Sequence, residues 1–196
     1  MKLLRTTYES LTDEQLMEKL SNGDRRAFDL LYGRYAQPMK NYFYRLMWKD
    51  TEKAEDFVHD LFAKIIQNPD SFDASRSFKT WFYSVANNMV KNEYKKQEVR
   101  KGTQLGVDQH ENVSDHAMSV FQQVEEKQFQ EVFQQELETL EEKHRIVFSL
   151  RHFEGLSIKE IAEIVESNEG TVKSRLFYAT KYLAEKLKAF NPVLNR

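Results

Sequence analysis

Polar, basic and aromatic side chains recur near the end of the chain at a spacing that would place them on one face of a helix. The opposite face would be apolar at i, i+4, i+7 and i+11, in the series Val172, Leu176, Ala179 and Leu183. Basic side chains beside an exposed face can contact DNA phosphates, and polar ones can reach base edges. The residues that point outwards or flank the outward face are Gly170, Lys173, Ser174, Arg175, Phe177, Tyr178 and Lys181.

A shorter helix is predicted immediately before this segment. Ser157 and Glu160 have the spacing of a capping box, and Ile161 and Ile164 fall on one helical face. Asn168 is a good N-cap for the second helix. Two short helices joined by a tight turn indicate a helix-turn-helix, whose second helix enters the major groove of DNA. An ordinary helical hairpin with a solvated polar face is the alternative that the pattern leaves open.

A second group of candidate DNA-contacting residues lies in the first half of the chain, where an aromatic stretch precedes an Asn- and Lys-rich helix. Aromatic rings interleaved with basic groups can stack on unpaired bases and hold the nucleic-acid backbone. Packing in a helical core is the alternative, and it is the commoner fate of any single aromatic residue. The aromatic residues are Phe72, Phe78, Trp81, Phe82 and Tyr83, and the basic ones are Lys91, Lys95, Lys96 and Arg100.

A row of charged residues runs along the helix predicted for residues 54–67. Asp56, Asp60 and Lys64 lie at i, i+4 and i+8, opposite an apolar face. An ion pair between Asp60 and Lys64 would contribute only about 0.2–0.5 kcal/mol. The row is therefore either a solvated face or a docking surface for another protein.

The composition limits the class of protein. The 196 residues include 31 acidic and 29 basic side chains, for a formal charge of −2, so any contact with DNA must come from local basic patches. Cysteine is absent, which excludes disulfides and thiolate catalysis. No phosphate-binding loop or metal-binding His motif occurs, and no apolar run approaches the roughly 20 residues that span a bilayer. The sequence predicts a cytoplasmic protein that is not an enzyme and needs no metal or cofactor.

Helical periodicity divides the chain into two parts. Residues 10–100 are predicted to be helical and begin with a capping box at Thr12 and Gln15. Periodicity fades over residues 101–123, which are rich in Gly, Asp and Ser and indicate a flexible linker. It returns over residues 124–190. The predicted fold class is all-α, with two small helical domains joined by this linker.

With both halves placed, the chain resembles the bacterial sigma factors of the extracytoplasmic-function (ECF, group IV) class. The resemblance covers nearly the whole chain. In the first half it rests on GDxxAFxxLYxRY (23–35), AEDxxHDxFxK (54–64) and FxTWxxxVAxN (78–88). In the second half it rests on LRxFEGLSxxEIA (150–162) and GTVKSRL (170–176).

This resemblance implies a subunit that binds core RNA polymerase and directs promoter-specific transcription initiation. Residues 10–100 would form sigma region 2, in which Asp56, Asp60 and Lys64 contact the clamp helices of the β′ subunit, with the β subunit as a further partner. The same region would melt the −10 promoter element and read it as a single strand. Asn88 would face an extruded base, Trp81 would support the pocket, and the strand would be held by Lys91, Lys95, Lys96 and Arg100.

Residues 124–190 would form sigma region 4 and read the −35 element as duplex DNA. The outward residues of 170–181, including Thr171, would make the contacts. Similar sequences usually have Gly at position 166 and an apolar residue at 167, so Glu166 and Ser167 predict a looser or differently shaped turn. Tyr178 and Thr180 replace common basic residues, which predicts modest phosphate affinity. The resemblance also implies an anti-sigma protein as a regulatory partner.

Two other functions remain compatible with parts of the sequence. A self-sufficient helix-turn-helix repressor or activator would bind duplex DNA as a dimer without polymerase. A helical adaptor would use the same amphipathic faces without DNA, and it would leave the Lys- and Asn-rich helix unexplained. The linker also permits an arrangement in which the free protein covers its own basic patches.

Overall fold

The computed structural model describes residues 8–103 and 121–190, and no strand occurs in these ranges. The all-α prediction is confirmed. Residues 104–120 of the predicted linker lie outside the described residues, whereas residues 101–103 and 121–123 at its two ends belong to helices. The α-helices are α1 Asp13–Ser21, α2 Arg25–Leu46, α3 Thr51–Gln67, α4 Phe78–Thr103, α5 Phe121–Thr139, α6 Glu142–His152, α7 Ile158–Ile164 and α8 Glu169–Lys186.

Side-chain caps fix the starts of the first helices. The predicted capping box of α1 is present: Gln15 N donates to Thr12 Oγ1 at 3.3 Å, and Thr12 N donates to Gln15 Oε1 at 3.0 Å. Asp24 caps α2 by accepting from Arg26 N, and Asp50 caps α3 by accepting from Lys53 N. Each cap satisfies a backbone N–H group that the helix itself leaves unpaired.

Part of the aromatic stretch of the first half lies in the core among α1–α4. The Tyr35 ring lies 5.3 Å from that of Phe78 and 5.2 Å from that of Phe82, in edge-on contacts. Phe78, Phe82 and Tyr83 are buried, so the core interpretation is confirmed for these three. Trp81 is half-buried and packs against Phe72 at the domain surface.

The second half packs α6 and α7 against α8. The apolar series predicted for α8 is the buried seam of this helix: Val172, Ala179 and Leu183 are buried, and Leu176 is half-buried. Leu137 of α5 and Phe148 of α6 complete the core around the later part of α8. The second helix of the motif, α8, is therefore held by apolar contacts on one side only.

The two halves share one continuous hydrophobic cluster, because α7 packs along α4. A buried polar chain links them further. Arg145 donates to Glu138 O at 3.1 Å and to Tyr94 Oη at 2.8 Å, and Tyr94 Oη donates to Leu46 O at 2.5 Å. Burial raises the pKa of Tyr94 to about 12, so its hydroxyl stays a donor. Among the helices of the described ranges, none combines the length and apolar character needed to cross a bilayer.

Candidate nucleic-acid interface

The helix-turn-helix begins with the predicted capping box. Glu160 N donates to Ser157 Oγ at 3.2 Å, and Ser157 N donates to Glu160 Oε2 at 2.8 Å. The hydrogen bonds to Ser157 lower the pKa of the Glu160 carboxyl. Asn168 caps α8 by accepting from Thr171 N at 2.8 Å. Both helices of the motif are thus fixed at their N-termini by local side chains.

Replacing Ser157 with Ala is expected to lower the free energy of unfolding by about 1 kcal/mol, because α7 loses a cap. Urea denaturation followed by circular dichroism measures this change. Ser174→Ala is the matched control: Ser174 is exposed within α8, and Ala is a better helix former there. Equal stability of Ser157→Ala and the natural sequence would contradict a role of this cap.

The turn between α7 and α8 is closed, contrary to the looser turn that the sequence predicts. Glu166 adopts a left-handed backbone with φ of 55°. Ser167 N donates to Ala162 O at 2.9 Å and Glu166 N donates to Glu163 O at 3.3 Å, which is the hydrogen-bond pattern of a Schellman motif. Glu therefore occupies the position that favours Gly, and these two hydrogen bonds hold the turn.

The outward face of α8 is exposed along its length. Phe177 and Tyr178 are 63% and 58% exposed, which is unusual for large aromatic side chains in a folded domain. Gly170, Lys173, Ser174 and Lys181 are also exposed, and Thr171 and Arg175 are half-buried. The face that the sequence predicts for duplex contacts is thus available in this structure.

The charged row on α3 is a second exposed surface. Asp56, Asp60 and Lys64 are all exposed, and none of them forms an ion pair within the described ranges, so the alternative of an Asp60–Lys64 pair is not realised. A groove of about 400 Å³ lies beside this row between α2 and α3. The sequence interpretation missed its lining, which includes Tyr32, His59 and the pair of Lys40 and Glu55 at 2.5 Å.

On α4, the two neighbouring asparagines lie in different environments. Asn88 is exposed, whereas Asn87 is fully buried and donates to Ile164 O of α7 at 3.2 Å. Lys95, Lys96 and Arg100 are exposed, and Lys91 is half-buried. The helix therefore presents Asn88 and a basic series to solvent while its other side packs against the second half of the chain.

Carboxylates of the second half lie against basic groups of the first half, which the sequence interpretation did not foresee. Glu154 contacts Arg45 and Tyr83, and Glu163 contacts Arg76. In the sequence, Glu154 is singled out only by its position in the LRxFEGLS motif. Pairs so far apart in the chain cannot be derived from local periodicity.

Comparison with known proteins decides the family. The family model for Sigma-70 region 2 matches residues 31–100, and that for Sigma-70, region 4 matches residues 130–183. The chain is 31% identical to the RNA polymerase sigma-H factor of Pseudomonas aeruginosa, over 93% of this chain and 95% of that protein. It is 30% identical to the ECF RNA polymerase sigma-E factor of Escherichia coli, over 96% and 99%. The chain belongs to the ECF sigma factors.

Solved structures share the fold of this sigma factor. CnrH, solved in complex with the cytosolic domain of CnrY, has a TM-score of 0.64 at 20% identity and covers 90% of this chain and 97% of its own. The sigma factor RpoE of Bartonella quintana, solved with the anti-sigma factor NepR, has a TM-score of 0.64 at 24% identity, with coverage of 82% and 96%. As a member of this family, the sigma factor directs promoter-specific transcription and acts as an initiation factor.

Proposed function

We propose that this sigma factor binds core RNA polymerase through the charged row on α3, reads a melted −10 element through α4, and reads a duplex −35 element through α8. The observation that carries the proposal is that all three surfaces are exposed polar faces of helices whose other faces are core. The proposed domains are residues 10–100 and 124–190.

Recognition of the −10 strand rests on Asn88 and the basic series that follows it. An amide side chain can both donate to and accept from the edge of an unpaired base. Extruding that base costs a few kcal/mol, which hydrogen bonds and stacking in a pocket offset. Trp81 lies two turns before Asn88 on the same helix and is half-buried. Lys95, Lys96 and Arg100 extend the surface with positive charge that attracts the strand.

Recognition of the −35 duplex rests on α8, which is 18 residues long and exposes one side. Its N-terminal turn carries Gly170, which permits close approach, and Thr171 and Ser174, which can bond to bases or phosphates. Phe177 and Tyr178 offer ring edges to the groove, where an apolar contact with a thymine methyl is possible. Lys173 and Lys181 supply phosphate contacts.

Replacing both Lys173 and Lys181 with Ala is expected to weaken promoter binding by about 10-fold at moderate salt. The slope of log K against the logarithm of the salt concentration should also fall in magnitude by about 2, because each lost phosphate contact removes roughly one. Filter binding of holoenzyme to duplex promoter over a salt series measures both values. Lys188→Ala, an exposed lysine after α8, is the control. A slope equal to that of the natural protein would mean that these two lysines do not contact DNA phosphates.

An anti-sigma protein is proposed as a further partner. CnrH and the sigma factor RpoE of Bartonella quintana, which share this fold, were each solved in complex with another protein, and the partner of RpoE is named an anti-sigma factor. The exposed α3 row and α8 face are surfaces that such a partner would have to cover to prevent transcription. In a transcription assay with core polymerase, such a partner should lower the transcription that depends on this sigma factor. It should not change the transcription that depends on an unrelated sigma factor.

Association with core polymerase separates the proposed function from the two alternative classes. The purified sigma factor should co-elute with core polymerase in gel filtration at micromolar concentration. A helix-turn-helix regulator or an adaptor would elute alone. Elution of the folded protein apart from core polymerase would contradict the proposal.

A further inference from the structure

The start of α6 lies beside the α8 face that is proposed to read the −35 element. The ring of His144, in the first turn of α6, lies 6.1 Å from the ring of Tyr178, measured between centroids, at an interplanar angle of 49°. Tyr178 is one of the exposed aromatic residues of α8, whereas the side chain of His144 is only 18% exposed. A helix outside the helix-turn-helix thus contributes a side chain to the edge of the proposed duplex surface.

The imidazole of His144 forms no hydrogen bond within the described ranges. The carboxylate of Glu141 is near it, but Oε2 lies 3.9 Å from Nδ1, which is beyond hydrogen-bond distance. Both ring nitrogens are open to water, since neither belongs to the buried polar atoms that lack a partner. Side chains that are polar and largely buried for structural reasons usually have a hydrogen-bond partner. The ring therefore packs against Tyr178 with its bonding capacity unused.

Basic groups from two helices lie around this ring. Lys143 precedes it on α6 and is exposed, and Arg175 of α8 is close enough to act on its charge. Arg175 is half-buried and forms no ion pair within the described ranges. Burial and the positive charges of Lys143 and Arg175 lower the pKa of the His144 imidazole. The negative charge of Glu141 opposes this shift without reversing it, so the ring is neutral at neutral pH.

The carboxylate of Glu141 shows that an anion fits between these groups. Its Oε2 lies 2.7 Å from Lys143 Nζ and 3.9 Å from His144 Nδ1. The side chain is 66% exposed and, although Glu141 stands at the N-cap position of α6, it accepts no hydrogen bond from the start of that helix. Because no cap holds it, the side chain can turn away and leave its place to an anion that arrives from outside.

A phosphate of duplex DNA is the anion that this position favours. Phosphates border the groove that a reading helix enters, and basic side chains beside that helix contact them. Arg175 and Tyr178 lie on the outward face of α8 or at its flank, and Tyr178 brings a hydroxyl but no positive charge. Lys143, and His144 once it is protonated, add that charge from α6.

We propose that Lys143, His144 and Arg175 form a phosphate site at the edge of the −35 surface, and that His144 holds the DNA backbone in its protonated form. The inference rests on the proposed role of α8 in duplex recognition. The proton is taken up from solvent as DNA binds, and a ring N–H then donates to a phosphate oxygen. α6 thereby fixes the backbone relative to the bases that α8 reads.

DNA affinity should consequently rise as the pH falls from 8 to 6. A phosphate favours the charged imidazole, so the pKa of His144 is higher in the complex than in the protein alone. The gain in affinity is complete below the pKa of the protein alone, and it is lost as the pH rises through the pKa of the complex. The ionisable groups that face the ring are Glu141, Lys143, Arg175 and Tyr178, and residues of these types ordinarily titrate outside this range.

The first test measures binding of the full chain to a fluorescein-labelled duplex of 30 base pairs and mixed sequence, by anisotropy in 50 mM salt. The natural protein should bind about three- to fivefold tighter at pH 6 than at pH 8, which corresponds to a rise of roughly half a unit or slightly more in one pKa. His144→Gln should differ by less than about twofold between the two pH values. His144→Lys should bind at both as tightly as the natural protein binds at pH 6.

His152→Gln is the matched control, because His152 is an exposed histidine at the other end of α6. This variant should keep the full pH dependence. A pH dependence of His144→Gln equal to that of the natural protein would overturn the inference, as would a lack of duplex binding by the natural protein at pH 6. Failure of the natural protein to co-elute with core polymerase would instead contradict the proposed function.

Variants of two exposed groups keep the inference testable if replacing His144 disturbs the fold. Lys143→Ala should reduce the magnitude of the slope of log K against the logarithm of the salt concentration by about one, the value for one phosphate contact. Glu141→Gln should bind the duplex about two- to threefold tighter at pH 8, because a competing carboxylate is gone. Lys188→Ala and Glu131→Gln replace exposed residues outside the cluster and should match the natural protein. An unchanged slope for Lys143→Ala would contradict the site.

A free phosphate ion is the other source of the same chemistry. Calorimetric titration of the natural chain with inorganic phosphate should show no binding up to about 1 mM, since a single small anion lacks the other contacts that the duplex makes along α8. Binding of inorganic phosphate that His144→Gln abolishes would assign the site to the free ion and overturn the assignment to DNA.

Discussion

Replacing Asp60 with Arg is expected to lower the affinity of the sigma factor for core RNA polymerase by about 10- to 100-fold, or about 1.4 to 2.8 kcal/mol. Asp60 lies in the middle of the exposed row on α3 and forms no ion pair within the described ranges. Reversing its charge therefore changes the surface that a partner meets without removing a contact of the fold. A basic partner surface would then face an added positive charge.

Competition with fluorescently labelled natural sigma factor for core polymerase measures this effect. Glu185→Arg is the matched charge reversal, because Glu185 is exposed on α8, far along the chain from the row. The two variants should have the same helical content and the same free energy of unfolding in urea within about 0.5 kcal/mol. If Asp60→Arg competed as well as the natural protein, the proposal that α3 docks on core polymerase would be contradicted.

Replacing Asn88 with Ala is expected to reduce open-complex formation by about 10- to 100-fold and to relax selection at one position of the −10 element. A bidentate base contact provides about 1–3 kcal/mol of discrimination, and its loss leaves the cost of base extrusion uncompensated. Binding to core polymerase should not change, since Asn88 is exposed on α4 and the proposed docking row is on α3.

The reactivity of thymines near the start site towards permanganate measures the separation of the promoter DNA strands directly. Asn41→Ala, an exposed asparagine on α2, is the matched control and should open promoters normally. Asn87→Ala gives a further contrast, because Asn87 is buried and donates to Ile164 O, and its loss should weaken the packing of α7 on α4 without changing base selection. An equal loss of core binding and opening by Asn88→Ala would mean that Asn88 is structural.

Local features of this fold follow from the sequence because they depend on neighbouring residues. The capping boxes at Thr12 and Ser157 and the apolar seam of α8 are set by spacings of three or four residues. The polar faces follow from the same periodicity. The all-α class could be predicted for this reason, whereas periodicity did not separate the exposed Asn88 from the buried Asn87.

Features that depend on distant pairs could not be predicted in this way. Arg45 and Glu154 are 109 residues apart in the chain, and neither carries a local signal of the other. The aromatic stretch allowed both a core and a stacking surface, and only packing shows that Phe78 and Phe82 are core while Trp81 reaches the surface. The turn at Glu166 was expected to differ because residue preference alone does not reveal the bonds that hold it.

Transcription in vitro with core polymerase on genomic fragments tests the central claim most directly. The expected result is a set of discrete transcripts that require this sigma factor, from start sites that share one upstream element near −10 and another near −35. A folded preparation that yields no sigma-dependent transcript, with core polymerase that remains active with another sigma factor, would contradict the account.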